Sequence, residues 1–149
     1  MVAHLRTQIR DQMRDLIAIQ IPGATVTSGH YHARNIDDSD LLIDIFAVNE
    51  TVDLEQMSLG LRFHTTTFAV RAQRLADVGV DDLLDDDELL IRAALFSGDW
   101  SLLLIEDPEI AEVQFSRATN NEAVAVGALA LRVTVTYRAD KADPTSLEN

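Results

Sequence analysis

The sequence contains no cysteine. That excludes a disulfide framework and any thiolate-ligated metal centre, and nothing else argues for secretion. Long apolar runs are also missing. The opening stretch MVAHLRTQIRDQ has no hydrophobic segment after its basic residues, and no later run approaches the ~18 apolar residues of a membrane span. A soluble, cytoplasmic product without membrane association is expected. Glycine is sparse, six residues with no Gly-rich phosphate loop among them. Positive charge is short as well: 12 basic against 25 acidic residues give −13. Affinity for a nucleic-acid backbone depends on neutralising phosphates with Lys and Arg, so DNA binding is disfavoured. What remains is 149 residues, 47% hydrophobic and 25% charged, which suits one core. The expected organisation is a single domain over 1–139 and a polar tail over 140–149.

The clearest element lies at 127–140, GALALRVTVTYRAD. Leu129, Leu131, Val133, Val135 and Tyr137 alternate with Ala130, Arg132, Thr134, Thr136 and Arg138. A period of two in β-branched and aromatic residues predicts a strand with one face on a core. Its second face, Thr alternating with Arg, is wet enough for solubility and regular enough to meet another protein.

Along the chain, Leu5, Ile9, Met13, Leu16 and Ile17 recur at helical spacing over 4–21, and Pro22-Gly23 stop the helix. Residues 24–27 form a short β-prone run, and 30–40, HYHARNIDDSD, have neither period and read as a loop. The run LLIDIFAV at 41–48 predicts a strand buried on both faces, Asp44 being the exception. Residues 59–73 are β-prone, but Leu61 and Phe63 fall on one parity and Phe68 and Val70 on the other, which calls for a bulge or a bend near Thr65-Thr66-Thr67. Val80, Leu83, Leu84, Leu90, Ile91, Ala94 and Leu95 form a helical stripe over 77–98, with Asp81 or a neighbour as cap and Gly98 just past the end. The apolar run 100–105 is ambiguous. Residues 111–116 alternate as a strand, and Asn120-Asn121 suit the turn of a C-terminal hairpin. Helix, two or three strands, helix and two strands predict an α+β fold: a mainly antiparallel or mixed sheet of four to five strands, with two helices packed on one face.

The search for chemistry is thin. His30 and His32, with Asp37, Asp38 or Asp40, could hold a metal in an extended segment, but two ligands on a loop without an evident third read better as a solvated turn. The run from Asp85 to Glu88 lacks EF-hand spacing and reads as the charged start of a helix. No serine lies in a G-x-S-x-G context. His64 is read as an interface or exposed-face histidine rather than a pH switch, and Trp100, the sole tryptophan, as a core or interface anchor.

In the order of its parts the chain resembles the tail terminator proteins of long-tailed, siphovirus-like bacteriophages and related phage-like particles. The residues that carry this are the amphipathic LRTQIRDQMRDLI, the buried LLIDIFAV, the long LRFHTTTFAVRAQ, the acidic second helix and the closing L-x-V-x-V-x-Y from Leu131 to Tyr137. The likeness covers residues 3–138 and consists of hydrophobic patterns, with no catalytic motif to carry over. It implies a structural virion protein, not an enzyme. Such a protein forms a homo-hexameric ring that caps the tail tube, ends its polymerisation and joins a head-completion or connector protein at the head-tail junction, after assembly in the host cytoplasm. The implied partners are the chain itself, the tube protein and the connector, with DNA passing unbound and no cofactor. The runner-up readings are a small metal-binding enzyme or ligand-binding module at the His30/His32 group, and another neck or tail-completion adaptor.

Two sets of candidate site residues follow. Arg62, His64, Thr66, Arg132, Thr134 and Arg138, taken as the outward parity of the two long strands, are candidates for subunit or tube contacts. Asp81, Asp82, Asp85, Asp86, Asp87 and Glu88 are candidates to line or flank a channel that DNA passes without sticking. Neither a catalytic nor a metal residue is assigned.

Overall fold

The computed structural model describes residues 4–29, 41–53, 61–76, 79–119 and 125–140. Helix α1 (Leu5–Gln20) buries Leu5, Ile9, Met13 and Ile17, one residue per turn on one side. His4 caps its start, its Nδ1 accepting the Arg6 N–H at 3.0 Å. Five strands follow with a second helix between: β1 (Thr25–Ser28), β2 (Leu41–Asp53), β3 (Leu61–Ala76), α2 (Val80–Ser97), β4 (Glu109–Thr119) and β5 (Ala125–Asp140). No helix among the described residues is long and apolar enough to cross a membrane.

The strands form one sheet in the order β1-β2-β3-β5-β4. Only β1 and β2 are parallel; the other pairs are antiparallel. This is the expected α+β architecture. The register between β3 and β5 is unbroken from Leu61↔Asp140 to Ala76↔Ala125. Directly opposed residues share a face, so Phe68, Val70 and Ala72 join Val133, Leu131 and Leu129 beneath the helices. Ile43 and Ile45 of β2 continue that face, and the buried sides of α1 and α2 close the core over it. Each of the larger of these side chains, Val, Leu, Ile or Phe, contributes about 1.5–3 kcal/mol on leaving water, before entropy is counted.

The bulge expected inside 59–73 is not there. Both irregularities lie in the strands flanking the central pair: β2 slips between Ala47 and Asn49, and β4 slips between Ile110 and Glu112. The two align. Ala47 pairs Phe68, Phe68 pairs Val133 and Val133 pairs Ile110, so the extra residues Val48 and Ala111 flank one rung of the sheet. The slip reverses parity in β2, and Glu50 instead of Asn49 faces Thr66 beneath the helices. Phe63 belongs to the opposite face, across from Arg138, and needs no bulge to be there.

Two further expectations are corrected, and a run that is ambiguous in the sequence takes a definite form. Asp44 is no exception in its buried strand: it is fully buried itself, hydrogen-bonded by Thr27 and paired with Arg71 at 3.3 Å. Helix α2 starts at Gly79, left-handed at φ 71°, with no side-chain cap from Asp81 or a neighbour. The run 100–105 is a turn, not a strand; buried Trp100 donates its indole N–H to the Leu95 carbonyl at 2.7 Å and closes the end of α2. The Asn120-Asn121 turn and the His30, His32, Asp37, Asp38 and Asp40 group lie outside the described residues.

Candidate interaction surface

The helices cover one face of the sheet. On the other, no described helix packs, and β5 presents Ala130, Arg132, Thr134, Thr136 and Arg138 beside Thr65, Thr67 and Arg71 of β3. Arg132 and Thr134 are half-buried by the flat packing of neighbouring strands, and Arg138 is exposed. The aligned bulges shape this surface. A depression of about 400 Å³ opens between them, lined by Val48, Asn49, Thr67, Ala111, Glu112, Arg132 and Thr134. A second, of about 360 Å³, lies further along the strands over Arg71, Gln114, Ser116, Ala128 and Ala130. The edges are open as well. Among the described residues β1 pairs only with 42–45 of β2, so no described strand lies beside 46–53 on that side, and none pairs beyond β4.

The six residues taken as one outward set divide between the two faces. Arg132, Thr134 and Arg138 occupy the open face. Arg62, His64 and Thr66 pair with Ala139, Tyr137 and Val135, which places them on the helix-covered face. The physical reason is the continuous β3–β5 register: without a bulge in β3, its even-numbered residues stay with the core from end to end.

Thr66 and His64 belong to a polar network there. Glu50 Oε1 accepts a hydrogen bond from Thr66 at 2.6 Å and another from the Tyr137 hydroxyl. Arg6 Nη1 and His64 Nδ1 each approach Oε2 at 3.6 Å. The His64 ring stacks on Tyr137, centroids 5.1 Å apart and planes 13° from parallel. Burial pushes the Glu50 carboxyl up, but the hydrogen bonds from Thr66 and Tyr137 and the nearby Arg6 and His64 outweigh it and hold it below the usual range. Burial, and then the Glu50 hydrogen bond, raise the Tyr137 phenol well above its ordinary value. Burial and Arg6 lower His4, against the pull of Glu50. This network joins the first turn of α1 to β2, β3 and β5.

The acidic run divides in the same way. Asp87 is 1% exposed and held bidentately by Arg74 of β3, at 2.7 and 2.8 Å. It cannot line a channel. The apolar side of α2 turns it inward, among Val80, Leu84 and Ile91. Asp81 pairs with Arg117 of β4, and Glu88 with Arg92 one turn on at 3.3 Å. Asp82, Asp85 and Asp86 are exposed and have no ion pair among the described residues.

Sequence reasoning missed Glu50, Arg74 and the aligned bulges. An acid at the end of an apolar strand was the only trace of Glu50, and its parity depends on a slip visible only against β3. No protein-family model matches the chain, and no curated protein matches it. Among solved structures, it is similar to the sheath/tube terminator of an extracellular contractile injection system, PVC, in its extended state: 9% identity and a TM-score of 0.41 over 93% of this chain. The match takes in 60% of that terminator, so the chain spans about three fifths of its length.

Proposed function

We propose that the chain is a structural subunit that closes into a homo-oligomeric ring on the tip of a tail-like tube, ending the tube and offering a surface for the next component. One observation carries this reading: among the described residues no helix packs on the second face of the sheet, and no strand pairs with β4 on its outer side or with the second half of β2. Unpaired strand edges are templates for further pairing, and a ring in which each copy covers its neighbour removes them. The polar side chains that converge inside the subunit, around Glu50 and Asp87, spend their bonds holding α1 and α2 onto the sheet.

In this reading a hexamer caps the tube and meets a head-completion or connector protein, and the particle's DNA passes through without being bound. Arg132, Thr134 and Arg138 contribute to subunit or tube contacts. Asp82, Asp85 and Asp86 remain available to a channel or to a seam between subunits, whereas Asp81, Asp87 and Glu88 are engaged within the fold. The test is the native mass of the purified chain, alone and mixed with tail tubes, with negative-stain imaging of the tips. Rings of one size, free or on tube ends, are expected. A chain that stays monomeric and leaves tubes unbound overturns the reading.

A further inference from the structure

The outer side of α2 is unusual for a solvent-facing helix. At 100° per residue, the side opposite Val80, Leu84, Asp87 and Ile91 carries Asp82, Asp85, Asp86, Leu89 and Phe96. Its first half is acidic, and its second half is apolar: Leu89 is 64% exposed and Phe96 51%. The opposite surface of the subunit is the open sheet face, where Arg132 and Arg138 have no ion pair among the described residues. Unpaired charge of opposite sign thus sits on the two sides of a two-layer molecule.

We propose that α2 of one copy docks on the open sheet face of a second copy, Leu89 and Phe96 seating in its two depressions and the three aspartates meeting Arg132 and Arg138. The spacings agree. Seven residues of helix separate Leu89 from Phe96 by about 10.5 Å. The depressions centre on Thr67/Thr134 and on Arg71/Ala130, four residues of strand or about 13 Å apart. The order agrees too. With Phe96 over Ala128 and Ala130, whose small side chains leave room for a ring, and Leu89 between the bulges, Asp85 and Asp86 fall about 5 Å beyond Thr134, over Thr136 and between Arg132 and Arg138. Asp82 then points toward Arg138. Glu112 of β4 lies opposite Arg132 in register, which favours placing the acids over β5 and away from that edge. Arg71 is already paired with Asp44, its register partner on this same face, so the attraction rests on Arg132 and Arg138.

Because the two surfaces lie on opposite sides of the subunit, the contact is head-to-tail, and a head-to-tail contact closes into a ring when its rotation allows. The inference rests on the ring reading and names its seam.

Two variants test it: Asp85→Arg with Asp86→Arg, and Arg132→Asp with Arg138→Asp, followed by native mass and sedimentation with and without tail tubes. Each alone should weaken association by about tenfold or more, because like charges then face each other across the seam. Mixed in equal amounts, the two should assemble again, since every seam in an alternating ring then joins opposite charges. Leu89→Ser with Phe96→Ser should weaken assembly at any salt, and the wild-type ring should loosen as ionic strength rises. If both reversed variants form rings as the wild type does, or the mixture fails to recover, this seam is wrong while the ring stands. Assembly that strengthens with salt overturns it too, returning the aspartates to a self-repelling channel. A wild-type chain that neither oligomerises nor binds tubes removes the ring, and the seam with it.

Discussion

Arg74 of β3 holds Asp87 of α2 through two parallel hydrogen bonds, Nε to Oδ2 at 2.7 Å and Nη2 to Oδ1 at 2.8 Å, with the carboxylate side chain 2% exposed. The pair fixes the rotation of α2 on the sheet, since no other residue of the acidic run is buried. Removing one partner leaves the other as an uncompensated charge under the helix. Asp87→Ala or Arg74→Ala should therefore cost about 3–5 kcal/mol, whereas Arg74→Met combined with Asp87→Leu should recover most of it. Urea unfolding of the four proteins checks this. A single-variant loss under about 1 kcal/mol would show that water replaces the missing partner.

This pair also shows where the sequence stops being legible. The stripes at Leu5, Ile9, Met13 and Ile17 and the alternation from Leu129 to Tyr137 were readable because each element buries one face, and burial writes its period into the residues. Asp44 and Asp87 were not, because a buried acid differs from a solvated one only by its partner. Those partners, Arg71 and Arg74, lie 27 and 13 residues away. The bulges at Val48 and Ala111 were hidden for a related reason: a slip is a mismatch between two strands and belongs to neither sequence. Without it, two apolar residues on two faces of one strand, Phe63 and Phe68, imitate a bulge in β3.

Acid and alkali should act on the Glu50 network from opposite sides. The Glu50 carboxyl is held below its usual value of 4.5. Its stabilisation is therefore present above that value and is lost as pH falls through the lower folded value. Tyr137 is raised above its usual 10.0, so its contribution is present below that pH and fades as pH rises beyond it. Tyr137→Phe takes a donor from Glu50 and brings its carboxyl back toward the unfolded value, so the variant should be less stable than the wild type above that pH, with a shallower acid limb that closes the gap as pH falls. Urea midpoints across roughly pH 3 to 7 measure this. Coincident acid limbs would mean that the Tyr137 hydroxyl does not support the carboxylate.

Gly127 lets α2 approach β5. A methyl group there would lie 2.8 Å from both Leu84 Cδ1 and Val80 Cγ2, while one at Gly23 meets nothing within 4 Å. Val80 is β-branched and Leu84 buried, so neither yields readily. Gly127→Ala should cost about 1–3 kcal/mol through overpacking, and Gly23→Ala should change stability by under about 1 kcal/mol. Thermal melts followed by Trp100 fluorescence compare the two. Equal melting temperatures would show that the helix lifts away at little cost.

The division of β3 and β5 into a core face and an open face gives the last prediction, which needs no assembly to test. Arg132 and Arg138 make no ion pair among the described residues. Arg132→Gln and Arg138→Gln should thus stay within about 0.5 kcal/mol of the wild type in the isolated subunit. Thr66 is fully buried and donates to Glu50 at 2.6 Å. Thr66→Val keeps its shape, removes that donor and leaves the carboxylate under-satisfied, which should cost about 1–3 kcal/mol. Denaturant midpoints at low protein concentration, read with the slopes unchanged, separate the two outcomes. Should the arginine variants prove costly and Thr66→Val neutral, the faces are assigned the wrong way round, and the surface offered to a second copy would have to be sought on the other side of the sheet.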